Sequence, residues 1–159
     1  ISGSKADAWK KAMAEEAKMV IYRQRAEGGD AKAMVKLGFS YRDGKRGLKK
    51  DVTQAFMWFK RAADLKDVTA IQSCGFAYLH GEGVETNDSR GVSMLSLAAG
   101  MGSEHASGVL GRLNHHGLCG FDKNPQEATR WYHEMQKCDI HDSMGAARDE
   151  AAEWLRDHT

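Results

Sequence analysis

The stretch HHGLC, residues 115–119, brings together three residues of metal-ligating type, His115, His116 and Cys119, and His133, Cys138 and His141 follow in the same last third of the chain. Zinc takes imidazole nitrogen and thiolate sulfur, so a zinc module built from this His/Cys cluster is the first chemistry to weigh. The spacing argues against it, because there is no C-x-x-C pair and isolated Cys-to-His spacings define no site. His116 also shares its register with His80 and Asp43, as an ordinary loop-edge residue does.

Other chemistry is scarcer still. Neither G-x-S-x-G nor G-x-x-x-x-G-K-[ST] occurs, and the glycines of GEGV follow no strand pattern, so neither a serine nucleophile nor a phosphate cradle is expected. Acidic residues alternate with Lys and Arg as they do on solvated helix faces. Lys45, Arg46, Lys49 and Lys50 form a basic loop, but without interleaved aromatics it reads as solvated, and no nucleic-acid partner is expected. The reading is of a chain without cofactor and without enzymatic activity.

The elements that carry these residues are set by a repeat. Gly38, Gly75 and Gly111 lie 37 and 36 residues apart, and Gly44, Gly81 and Gly117 keep the same spacing. Ala33, Ala70 and Ala106 share this register, as do Leu37, Cys74 and Leu110, then Tyr41, Tyr78 and Asn114. Further on come Ala55, Gly91 and Ala128, then Trp58, Met94 and Trp131. A fixed period in this range means a solenoid of stacked supersecondary units. Within a unit, Ala33, Leu37, Gly38 and Tyr41 fall on one helical face, and Ala55, Trp58, Phe59, Ala62 and Ala63 on another. Paired glycines end the first helix, and Asp51, Asn87 and Asn124 stand where their oxygens can cap the second, with Pro125 at the first helical position of the last copy. Glycine in mid-helix costs about 1 kcal/mol against alanine. Close approach of the second helix, with Trp58 or Trp131 over the gap, is the expected compensation.

The expected organisation is a cloning remnant at 1–4, a long amino-terminal helix or half repeat at 5–30, repeats at 31–67, 68–102 and 103–138, and a capping helix within 139–159. Of the 159 residues 42% are hydrophobic and 28% charged, with a formal net charge of +1, which gives no drive toward nucleic acid or anionic lipid. No apolar run approaches the roughly 20 residues of a membrane-spanning helix, so no membrane partner is expected. Three cysteines without a pairing pattern point to a cytoplasmic or other reducing compartment.

The pattern A-x-x-x-L-G-x-x-Y-x-x-G-x-x-G, then Asp or Asn, then A-x-x-W-F-x-x-A-A, resembles the Sel1-like repeat family, relatives of tetratricopeptide repeats, over roughly 31–138. The third copy departs from it, with Asn114 for tyrosine and Met135-Gln136 for the paired alanines. The resemblance implies an all-α solenoid, a right-handed superhelix of helix–turn–helix units, that acts as an adaptor or scaffold for a protein or peptide partner. Some secreted bacterial members bind or hydrolyse β-lactams and carry paired cysteines in each repeat, which this chain lacks.

Stacked helix pairs curve and line a concave side with their first helices. Once the core positions are removed, the outward set is Lys36, Phe39, Ser40 and Asp43, then Ser73, Phe76, Ala77 and His80, then Val109, Arg112, Leu113 and His116. Phe39 and Phe76 could form an apolar strip for a peptide; the competing reading is that they pack between repeats.

Overall fold

A computed structural model describes residues 4–136 and 145–158, with the side chains of 145–147 excepted. The described residues form eight helices: α1 (Lys5–Glu27), α2 (Ala31–Asp43), α3 (Val52–Asp64), α4 (Val68–His80), α5 (Asp88–Gly100), α6 (Glu104–His116), α7 (Pro125–Gln136) and α8 (Gly145–His158). Each packs on its neighbour in the chain, with the pairs α2–α3, α4–α5 and α6–α7 in the closest association and α8 touching both α7 and α6. This is an α-solenoid, and its contacts are local in sequence, as a quasi-one-dimensional stack requires.

The sequence stops and starts these helices in repeating ways. Gly44, Gly81 and Gly117 end α2, α4 and α6 in the left-handed conformation, φ 62, 69 and 68°. A side chain there would be strained, which is why the register holds glycine. The chain then returns along the helix it has just left. The amide of Asp51 donates to Tyr41 O, that of Asn87 to Tyr78 O and that of Asn124 to Asn114 O, at 2.8, 2.8 and 2.9 Å. Asp51, Asn87 and Asn124 accept from the amides of Gln54, Arg90 and Glu127. The first helices have caps of their own: Asp30, Asp67 and Ser103 accept from Ala33, Ala70 and Ala106. Ser4, set aside above with the terminal remnant, caps α1 in a reciprocal box with Asp7.

The core follows the shared register. Ala33, Ala70, Ala106, Leu37, Cys74 and Leu110 are buried, as are Ala55, Ala62, Ala98 and Ala128. The mid-helix glycines are covered by residues other than those expected. Phe59, Leu95 and Tyr132 lie over Gly38, Gly75 and Gly111, one position beyond Trp58, Met94 and Trp131. Trp58 and Trp131 are half-buried instead, each beneath an arginine, Arg61 at 4.6 Å and Arg130 at 5.1 Å from the ring centre. Adjacent residues on a helix point about 100° apart, so only one of the Trp-Phe pair can enter the gap. The smaller ring does. A second small cluster of Ala128, Tyr132, Met135, Ala151 and Leu155, with Trp154 against it, joins α7 to α8.

Candidate functional site

Between α2 and α4, floored by α3, lies a cleft of 410 Å³. Phe39 and Phe76 line it, with Ser73 and Ala77 as small residues between them and Val52, Phe56 and Phe59 at its base. Arg42, His80, Glu82 and His105 put polar groups at its rim. Its two phenylalanines also belong to the packing. Phe39 meets Phe59 edge-on at 5.1 Å, with the Arg42 guanidinium 4.8 Å above its ring. Phe76 stacks on His80 at 6.2 Å and meets His105 edge-on. Both are half-buried, so each leans on the core and still presents a face to the cleft. Small side chains at 73 and 77 keep the space open, because bulk there would fill it.

The outward set divides on inspection. Lys36, Asp43, His80, Arg112 and His116 are exposed, and Phe39, Phe76 and Val109 are half-buried. Ser40, Ser73, Ala77 and Leu113 are buried, contrary to the expectation that the residues left after core assignment face water. A first helix in the stack packs on its own second helix and on the helix before it in the chain, so its buried arc is wider than that of a two-helix hairpin. Each buried hydroxyl finds a partner: Ser40 Oγ donates to Lys36 O and accepts from Arg46, and Ser73 Oγ donates to Thr69 O. Asp43 is held by Arg42 and Lys45, whose hydrogen bonds and charge keep its carboxyl below the usual range against a partly opposing desolvation.

The third repeat is different because α8 covers it. Glu150 Oε1 lies 3.0 Å from His116 Nε2 and 3.5 Å from His115 Nδ1, and Oε2 lies 3.4 Å from Arg112 Nε. His115 and His116 stack at 4.2 Å, and Trp154 covers His115 at 3.9 Å. Burial, then the neighbouring His116, lowers the His115 pKa. Nothing in the spacing around HHGLC points to Glu150, which lies 34 residues beyond His116 in the chain. Its position in the first-helix register is that of Ala77, and only the packing of α8 on α6 brings it to the two imidazoles.

Cys119 does not join them. Its backbone has φ 55°, just past the Gly117 turn, and it packs on the main core, where burial and then Asp88 push its thiol pKa up. His133 is exposed on α7 and outside the group, while Cys138 and His141 lie outside the described residues. Among the described residues, the His/Cys/Asp/Glu group able to converge on one ion is His115, His116 and Glu150. Cys74 is buried and unpaired, its pKa pushed up to about 12 by burial, so it behaves as an apolar core residue. No helix among the described residues is long and apolar enough to cross a membrane.

Comparison with known proteins places this architecture. The Sel1 repeat model matches residues 31–67, 70–103 and 109–135. The ERAD-associated E3 ubiquitin-protein ligase component HRD3A of Arabidopsis thaliana is 36% identical over 69 residues, 43% of this chain and 10% of that protein. The crystal structure of a Sel1 repeat protein from Oxalobacter formigenes superposes with a TM-score of 0.65 at 32% identity, over 69% of this chain and 44% of that one. A protective antigen of uropathogenic Escherichia coli strains, with an SLR fold, gives a TM-score of 0.71 at 32% identity, over 86% of this chain and 32% of that one. The chain thus spans less than half the length of each of these relatives.

Proposed function

The chain belongs to the Sel1 repeat family, and we propose that it is a protein-interaction module, without enzymatic activity, that holds a short peptide segment in the cleft between α2 and α4. The observation that carries this reading is the pairing of two half-buried phenylalanines from successive first helices across an open space kept by Ser73 and Ala77. An apolar side chain of a partner would sit between the rings, and Arg42, His80 and Glu82 would meet its polar backbone or neighbours. HRD3A is named as a component of a ubiquitin ligase, and a role in assembling other proteins suits a repeat scaffold.

Selection of a random-peptide library on the domain tests the reading, repeated on a Phe76→Ser/His80→Ala variant shown by circular dichroism to be folded. Convergent peptides that the variant no longer binds are expected. Peptides bound equally by the variant, or no convergent peptides at all, would remove the cleft as the recognition site.

A further inference from the structure

We propose that His115, His116 and Glu150 form a site for a zinc-class divalent transition metal that staples α8 to the end of α6. The three donor atoms lie within 4.8 Å of one another. A four-coordinate zinc with ligands at about 2.0–2.1 Å spaces its donors roughly 3.4 Å apart. The separations from Glu150 Oε1 to the two imidazole nitrogens, 3.0 and 3.5 Å, bracket that spacing. The two imidazoles stack 12° from parallel, so an ion that takes a nitrogen from each turns the rings out of that stack and draws the group in from its 4.8 Å span.

The surroundings hold the donors in place. Arg112 engages Oε2 of Glu150 and leaves Oε1 turned toward both imidazoles. Trp154 covers the His115 ring from the side of α8, and Tyr132 Oη, 3.3 Å from His115 Nδ1, gives up that contact when the nitrogen takes the ion. His115 and His116 occupy the last turn of α6, where free carbonyls make the helix end attractive to a cation. Two nitrogens and one carboxylate oxygen suit zinc and its neighbours better than magnesium or calcium, which take oxygen donors. Three protein donors leave one tetrahedral position open on the exposed side of His116, where water completes the set. The consequence is a cross-link between residues 34 apart in the chain, independent of the peptide cleft.

The test is a calorimetric titration of the chelator-treated 159-residue chain with zinc chloride at neutral pH, with melting curves in parallel. One zinc per chain and a metal-dependent rise in Tm are expected. Both should fall at least tenfold in affinity in His116→Ala and in Glu150→Gln, and survive in Cys119→Ser/Cys138→Ser. Cobalt should give the visible bands of a nitrogen–oxygen site without thiolate charge-transfer absorption. No zinc-dependent shift in the wild type, wild-type affinity in both ligand variants, or thiolate bands with cobalt would each overturn the assignment.

Discussion

Phe59 lies so close over Gly38 that a Cβ built on the glycine would stand 2.5 Å from Phe59 Cε1. The same relation recurs between Gly111 and Tyr132, at 2.5 Å, and between Gly75 and Leu95, at 2.8 Å, where Gly91 O also stands 3.1 Å from the built Cβ. A mid-helix glycine is therefore the condition for the two helices of each unit to meet.

Gly75→Val is expected to destabilise through overpacking. Replacing a helical glycine recovers up to about 1 kcal/mol of propensity, less for a β-branched residue. Forcing side-chain bulk against Leu95 and the Gly91 carbonyl costs about 1–3 kcal/mol or more, so the clash wins. A fall in Tm of several degrees should be read by calorimetry. A Tm within a degree of wild type would mean that the pair separates at little cost.

The solenoid was legible because its constraints repeat. A helix crossing that tolerates only glycine, a left-handed cap and an Asp or Asn before the second helix each recur in register, and three copies make them visible. What recurs less was not legible. Whether Trp58 or Phe59 fills the gap depends on the rotation of α3 about its axis, which the apolar spacing leaves open since both residues lie in the apolar arc. Cys119 looked like a partner of His115 because they are close in sequence, yet a positive-φ backbone at Cys119 turns the chain toward the core. Glu150 became a neighbour of the histidines only through packing between helices far apart in the chain.

The caps of the first helices give a second expectation. Asp67 Oδ1 accepts from the Ala70 amide at 2.9 Å and satisfies one of the free donors of α4. Asp67→Ala should cost about 1 kcal/mol in denaturant unfolding, while Asp67→Asn should cost a few tenths at most. Equal losses in both variants would show that charge, not the accepting oxygen, matters there.

Acid should weaken the array at its amino-terminal end. The Ala33 amide, then Arg25, hold the Asp30 carboxyl below the ordinary range; Arg42 does the same for Asp43, and Lys18 for Glu15. A carboxyl depressed in the folded state contributes stability that is fully present above its unfolded value, about 4, and is lost as pH falls through the folded value. Tm should hold from neutrality to about pH 5 as far as these groups decide it, and decline below about pH 4. Asp30→Asn keeps the capping oxygen and should decline less steeply over the same window. A parallel acid limb in wild type and variant would remove Asp30 from the account.

The carboxyl-terminal helix should open independently of the rest. Arg148 Nε donates to Glu104 Oε1 at 2.6 Å in a partly buried pair, and Trp154 Nε1 donates to Thr129 Oγ1 at 3.1 Å. These contacts tie α8 only to α6 and α7, and in a stack each unit is stabilised by its neighbours alone. A hydrogen bond between charged groups is worth about 1.5–3 kcal/mol when one partner is withdrawn. Glu104→Ala is therefore expected to raise amide exchange in α8 by roughly tenfold or more, with α2 to α5 unchanged. Exchange rising equally in α4 and α5 would mean that the described helices open as one cooperative unit, and that α8 is as much a part of the core as the glycine-bearing repeats.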